Sequence, residues 1–463
     1  MLRRIRDWLD DRTGFLTTLA PLASHLAPDG SRWWYVFGSA TLFAFLVQVV
    51  TGIALATVYV PSAGEAYASL QFISTAAPFG RLLRGMHYFG ASAMVLFIGI
   101  HLVRVFLMGS YKYPRELNWL TGVALLGLTL AMGFTGQLLR WDQNAVWSTV
   151  VGAAQGARSP VIGQWVVSFI LAGGTVGSAT LSHFFALHVF VVPLLLAATI
   201  GLHLYLVLRH GISEPPVAGR PVDPRTYRAE YEALLERSGR PFWPDAAWRD
   251  AVFGAGAIVA IVALAAIFGA PKLGLPPDPS IVQAQPRPDW YLLWYFAVLA
   301  LLPHGIEDLV ILGAPLVAAL VLLAVPFVSN RGERSWRRRP WAPAIVLVAA
   351  TMIGVLWHAG VQARWTPDFG ASPLPAQVAG VASGPALDGV AVFNARGCLF
   401  CHRIAGYGGT RGPDLTLVGD RLTRTQLTVR VLNGGYNMPA YANNISPSEL
   451  DDLVAFLESR TSR

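Results

Sequence analysis

The stretch Arg84–Met108, RGMHYFGASAMVLFIGIHLVRVFLM, constrains this chain more than any other. It is long and apolar enough to cross a bilayer, yet it carries His87 and His101, fourteen residues apart. Fourteen helical residues advance about 21 Å and return to within about 40° of the same face. A histidine in hydrocarbon is costly and as a rule functional. Two on one stripe, one toward each side of the membrane, point to ligands for two stacked cofactors.

A second apolar stretch supplies partners. In ATLSHFFALHVFVVPLLLAATIGLHLYLVLRHG, His188 and His203 lie fifteen residues apart, a rotation of about 60° from register. Two such helices running the same way set His87 against His188 and His101 against His203. Each pair can hold a haem iron through two imidazoles with no coordination site left open, which suits electron transfer rather than oxygen chemistry. A lone histidine could simply hydrogen-bond across helices; four in matched register favour ligation. Two neighbouring helices repeat the interval in glycine, Gly38 with Gly52 and Gly122 with Gly136, giving room for a bulky group beside the backbone.

Composition agrees, with 54% hydrophobic and only 13% charged residues over 463 positions. This reads as an all-α integral membrane protein. The net charge of +8 does not imply nucleic acid, because the arginines gather in particular loops. Residues 1–32 read as a basic, amphipathic segment at a membrane surface, with no cleavable signal peptide. Seven spans follow: Trp33–Val60, Arg84–Met108, Leu117–Leu139, Ala179–Leu208, Ala251–Phe268, Ile306–Val328 and Trp341–Val361. A short apolar segment, Trp290–Leu302, is too brief to cross. Basic residues concentrate in alternate loops, from Lys112 and Arg115 through Arg209–Arg249 to Arg331–Arg339. The amino terminus is therefore expected on the cytoplasmic side and the carboxyl terminus outside.

The remainder divides into residues 362–387, read as a flexible Pro/Ala/Gly linker, and a small all-α domain over 388–463. That domain contains Cys398-Leu-Phe-Cys401-His402, the pattern of c-type haem attachment, in which two thioethers hold the porphyrin and the histidine ligates iron. Asn437-Met438-Pro439 follows before a closing helix, and a His/Met ligand pair raises the potential of such a haem. The motif holds the only two cysteines, so no disulfide is expected.

The chain resembles cytochrome b of the quinol–cytochrome c (cytochrome bc) complexes, of the chloroplast type in its first four spans. The stretches that carry this are FLVQVVTG, RGMHYFGASAMVL, HLVRVFLMGSYKYPRELNWLTG, WDQNAVW, SPVIG and HGIS. Within a second, three-helix domain read over 211–361, residues 250–361 resemble the separate three-helix subunit of that family, with Pro288-Asp289-Trp290-Tyr291 at its quinol-oxidation motif. The last domain resembles a class I cytochrome c. The resemblance implies a four-helix domain over 1–210 with two haem b and one covalent haem c on the chain. Quinol would be oxidised around Asp289, Tyr291 and SPVIG, with one electron passing to a Rieske iron–sulfur partner and one crossing the two b haems to an inner quinone site. Arg84 and Arg104 are candidates for the haem propionates and Arg209 for the inner quinone site. Other complex subunits, a homodimer and a soluble cytochrome c or terminal oxidase as acceptor are implied in turn, in a bacterial cytoplasmic membrane with the haem c domain on its outer side. A non-bifurcating electron conduit for a dehydrogenase is the alternative, though it has no need of Asp289.

Four positions depart from the family pattern. Asp289 stands where glutamate is usual, and His183 where an arginine is expected. Arg140 replaces a proline. Val36 replaces the cysteine that tethers an extra haem in the chloroplast type, so that link cannot form.

Overall fold

The computed structural model describes residues 2–14, 24–30, 32–281, 286–302, 306–363, 371–435 and 438–462. Among the described residues, seven helices are long and apolar enough to cross a membrane, as expected. They are α2 (Phe37–Ala56), α4 (Gly80–Leu107), α5 (Glu116–Leu138), α8 (Ser178–His210), α10 (Ala247–Phe268), α12 (Glu307–Val328) and α13 (Trp341–Gln362). Between them lie α1 (Leu2–Thr13), α3 (Ala66–Thr75), α6 (Gln143–Ala157), α7 (Gly163–Leu171), α9 (Tyr227–Ser238) and α11 (Leu293–Leu301). Outward faces stay apolar, with Val50, Leu194, Val259 and Leu347 all exposed, as hydrocarbon requires. On α1 the stripe Ile5, Trp8 and Leu9 is likewise exposed. The end of the bundle nearer the amino terminus is called proximal below, and the other end distal.

Helix α2 packs along α4, α5 along α8, and α10 across both α2 and α4. Inside α8 a single π-helical turn spans Leu187–Val191, just before Pro193. Proline lacks the N–H that would bond the Val189 carbonyl, and its ring crowds that group, so the ladder widens by one residue there. The extra residue is absorbed between His188 and His203. Their fifteen-residue interval therefore turns like the fourteen of α4, and the 60° mismatch of an ideal helix disappears.

At the proximal end, cations close the carboxyl ends of three spans, where carbonyls lack helical partners. Arg339 donates to the carbonyls of Phe106 and Leu107, and Arg115 to those of His210 and Gly211. Lys112 donates to Ser329 and Arg331, and Arg334 pairs with Glu214. Lys112, Arg115, Arg334 and Arg339 are all buried.

The last domain is built on α15 (Pro385–Ala395), α16 (Arg424–Asn433) and α17 (Pro447–Glu458). Helices α15 and α17 cross at Gly389, whose hydrogen faces the Asp452 carbonyl, with Phe393 edge-on to Phe456 at 5.8 Å. The linker expectation needs correction here. Leu374 and Ala379, on and beside the short α14 (Ala376–Ala379), belong to this core. The Asn394 side chain bonds both the N–H and the carbonyl of Leu374. Composition suggested flexibility, but two apolar side chains in that stretch find a core. Residues 364–370 of the linker, Asn437 and residues 15–23 of the amino-terminal segment lie outside the described residues. The domain sits against distal loops: Tyr441 donates to the Pro279 carbonyl at 3.4 Å, Asn444 to Pro277 at 3.4 Å, and Thr175 to Asn433 at 2.9 Å.

Leu374→Ala should therefore destabilise the last domain by about 2–5 kcal/mol, the cost of a buried leucine truncation. The exposed Gln377→Ala should stay within about 0.5 kcal/mol of wild type. Denaturant unfolding followed at this domain's own chromophore tests the pair, and equal midpoints for the two variants would return residues 374–381 to the linker.

Candidate haem and quinone sites

The four intramembrane histidines meet in two pairs. His87 near the start of α4 faces His188 near the start of α8, with ring centres 6.2 Å apart. An ion bound to both rings at about 2 Å from each nitrogen would hold the ring centres about 6 Å apart, so this spacing fits a shared iron. His101 and His203 line one cavity of about 430 Å³ at the proximal end. The glycines prove more specific than mere room for a flat group, because each faces one histidine. A Cβ on Gly38 would lie 3.0 Å from His101 Cε1, and on Gly52 3.3 Å from His87 Cε1. On Gly122 it would lie 3.7 Å from His203 Cε1, and on Gly136 2.6 Å from His188 Cε1. The glycines of α2 thus back the histidines of α4, and those of α5 back the histidines of α8.

Threonines next to three of these glycines complete the setting. Thr51, Thr121 and Thr135 Oγ1 lie 2.9, 2.8 and 3.1 Å from Nδ1 of His87, His203 and His188. Each hydroxyl proton is already committed to a carbonyl one turn back, on Val47, Leu117 and Ala131. The histidine must then be the donor, which places its proton on Nδ1 and turns the Nε2 lone pair toward the partner histidine. These threonines were not singled out from the sequence, although a Thr-Gly pair at three of the four glycine positions was there to be read.

The donor set and the glycine-backed gaps suit haem at both pairs. Around the proximal cavity, Arg104 stacks over Tyr35 at 3.6 Å, while its buried Nε and Nη2 have no partner among the described residues. That orphaned cation matches an anionic propionate. Arg84 differs, since it already donates to Ser74 at 3.0 Å and to the Pro271 carbonyl at 2.9 Å. The expectation for Arg209 is corrected: it is exposed and does not line the cavity. Six residues beyond His203, it falls on another helix face. The polar lining comes instead from Arg32, Arg104, Arg115, Arg249 and Asp250, and Asp250 accepts from Ser39 at 2.8 Å. His183 packs edge-on to Phe169 at 5.0 Å, away from the paired rings.

At the distal end, Tyr291 reaches α5. Its hydroxyl fills the space a Cβ on Gly133 would take, one turn from Gly136 and His188, and donates to Asp289 Oδ2 at 3.1 Å. Burial pushes the Asp289 carboxyl above its ordinary range, against the opposing pull of the Tyr291 bond and of Arg140. Burial, reinforced by Asp289, raises the Tyr291 hydroxyl as well. Asp289 is not a helix cap. The helix begins at Leu293 rather than Trp290, and its cap position, Leu292, has no side-chain bond.

The segment after Trp141 holds the approach to this pair in place. Asp142, fully buried, accepts from Ala145 N–H, Gly274 N–H and Arg140. Gln143 exchanges hydrogen bonds with Asp278, and Asn144 does so with Arg287. Beyond α6, Val161 of SPVIG adopts a φ of 65° and stands fully exposed.

In the last domain, His402 donates from Nδ1 to the Pro413 carbonyl at 2.8 Å, leaving Nε2 to bind a metal. Gly412 packs on this ring, where a Cβ would lie 2.6 Å from Cε1. Cys398 and Cys401 are free thiols beside it. Met438 is fixed by paired backbone hydrogen bonds with Gly435. This donor set suits a thioether-linked haem.

Comparisons with known proteins agree with this geometry. Residues 22–211 match the family described as Cytochrome b/b6/petB, and residues 276–371 match Cytochrome b(C-terminal)/b6/petD. Residues 384–457 match Cytochrome C oxidase, cbb3-type, subunit III. The menaquinol:cytochrome c reductase cytochrome b subunit of Bacillus subtilis is 38% identical over 224 residues, covering 46% of this chain and all of the relative. Cytochrome b6 of Synechococcus sp. (strain WH7803) is 38% identical over 211 residues, covering 46% and 97%. A solved hyperthermophilic respiratory Complex III shares the fold, with TM-score 0.66 and 24% identity over 85% of this chain and 96% of the other. Histidine pairs, glycine backing and family matches together make the conclusion plain: this chain is a membrane oxidoreductase subunit of the cytochrome b/b6 family with a cytochrome c domain fused after it.

Proposed function

We propose that the chain is the haem-bearing core of a quinol:cytochrome c oxidoreductase. In this reading His87/His188 and His101/His203 each hold a haem b, and Cys398, Cys401, His402 and Met438 hold a haem c. Such groups supply one-electron relays. Quinol is oxidised at the distal end, which faces outward, and the inner quinone site lies at the proximal end beside the haem held by His101 and His203. One electron goes to a Rieske iron–sulfur partner, and the other crosses to the proximal pair. The observation that carries this is the Asp289–Tyr291 pair lodged against Gly133, one turn from the glycine backing His188.

Quinol oxidation releases two protons, and a base must lie within hydrogen-bond reach. Asp289 offers one in aromatic surroundings, and Tyr291 orients it. Beside the proximal haem, Asp250 offers a proton, and Arg32 and Arg249 positive charge, to a quinone being reduced. The haem c domain, seated on distal loops, takes electrons from the Rieske partner and passes them to a soluble cytochrome c or terminal oxidase. A homodimer in a bacterial cytoplasmic membrane, with the amino terminus cytoplasmic and the net reaction contributing to proton translocation, completes this reading.

Three outcomes follow. Asp289→Asn should lower quinol turnover by about 10²–10⁴-fold with every haem retained. A raised carboxyl becomes an effective base only as pH climbs through its raised value, so the wild-type rate should rise across that limb. The variant's residual rate should be flat there. An active variant with an unchanged pH profile would remove Asp289 from the chemistry.

Acidic organic extraction should release two haems per chain and leave one bound to the polypeptide. Any other ratio would overturn the assignment of sites.

Met438→His should lower the haem c midpoint potential, because methionine ligation favours the reduced iron, while both b haems hold theirs. A haem c potential that did not move would point to another axial ligand.

A further inference from the structure

We infer that Arg140, clamped at the end of α5, is a positioning residue of the distal site and serves as the fixed counter-charge of Asp289. The inference rests on the quinol-oxidation reading above. Past Leu138 the chain keeps winding for a further turn, with the Arg140 N–H bonded to the Gln137 carbonyl at 3.4 Å. Gly133, Gln137 and Arg140, spaced by one helical turn each, therefore share a face. That face is turned to the segment bearing the carboxylate: Tyr291 rests on Gly133, and Gln137 donates to the Arg287 carbonyl at 3.4 Å. Arg140 Nη2 donates to Asp142 Oδ2 at 2.5 Å. Asp142 is held in turn, fully buried and accepting from the N–H groups of Ala145 and Gly274 at 2.9 and 3.0 Å. Those two donors take a share of its charge, so the ion pair does not cancel the cation. The buried Arg140 Nε has no partner among the described residues.

Asp289 is faced by Tyr291 from its own segment, by Tyr88 from α4 and by Arg140 from the end of α5. Of the three only Arg140 is charged. Arg84, the next cation, is spent on Ser74 and the Pro271 carbonyl. In aromatic surroundings alone a carboxyl stays protonated and can accept nothing, whereas a nearby cation favours its ionised form. When a quinol O–H bond breaks, its proton bonds to the carboxylate, Asp289 becomes a neutral carboxyl, and the quinol oxygen keeps the electron pair and the negative charge. Arg140 takes no proton at any stage. Its charge then disfavours the protonated carboxyl, so the proton passes on to water at the distal surface and the base is restored.

The rate at which tetramethylhydroquinone reduces haem c in the purified complex, followed against pH, tests this. Arg140→Gln keeps a donor for Asp142 and removes the charge. Its rising limb should move toward alkaline pH by up to about one unit, a tenfold loss of rate at a fixed pH on that limb. Arg140→Lys, which keeps the charge, should hold the limb close to wild type. Asp142→Asn still accepts from the two backbone donors but lacks the negative charge, so it should move the limb the other way, toward acid pH. A limb that Arg140→Gln leaves in place, or a rate lowered by one factor at every pH, would overturn the inference alone. A wild-type limb in Asp289→Asn would sink the quinol-site reading and this inference with it. If Arg140→Gln does not assemble, Asp142→Asn decides: a shift toward alkaline pH, or none, would overturn the counter-charge role.

Discussion

Everything in the membrane half of this protein follows from placing neutral imidazoles, in facing pairs, inside hydrocarbon. An imidazole there must have its N–H satisfied and its lone pair directed at something worth binding. The chain meets both needs with the neighbouring helix. At three of the four a threonine takes the proton, and at all four a glycine lets the ring lie against the backbone. Helices α2 and α5 are therefore as necessary to the sites as the helices that bear the ligands. The π turn before Pro193 belongs to the same solution, since it returns His203 to the stripe that His188 begins.

Much of this was legible in the sequence, for reasons of period. Spans announce themselves by length and apolarity, and fourteen-residue intervals of histidine and glycine are one-dimensional traces of a three-dimensional stack. What escaped was anything whose meaning depends on a neighbour's position. Gly133 was one more small residue until Tyr291 came to rest on it from 158 positions away. Asp250, just ahead of the span read over Ala251–Phe268, carries no signal of its own in the sequence; α10 places it on the proximal cavity beside Ser39. Arg209 erred the other way, because nearness in sequence to His203 does not survive a rotation about the helix axis. Residues 374–381 were misjudged because composition reports average behaviour, and two buried side chains suffice to order a short stretch.

The basic residues that indicate orientation also hold the proximal loops together. Lys112, Arg115, Arg334 and Arg339 are drawn inward onto carbonyls left open where spans end. A cation counted as a topological signal is thus a structural clasp between the histidine-bearing half and the half that carries Asp289. The two halves meet at the distal end too, through Asp142, Gln143 and Asn144. Clasped at both ends, the carboxylate keeps its place beside α5 even though no ligand histidine lies on its own helices.

The ordering of Leu374 has a further consequence for the reach of the last domain. Only about a dozen residues separate Gln362, where the final span ends, from this first core side chain. Fully extended they cover roughly 40 Å. Released from Pro277, Pro279 and Thr175, the domain could swing through little more than a bilayer's thickness before its leash went taut. Within that radius its local concentration is on the order of millimolar, whatever the cell's supply of mobile carriers. In the proposed electron-transfer role the domain would act as a resident shuttle on a short arc, with delivery over longer distances left to a mobile carrier.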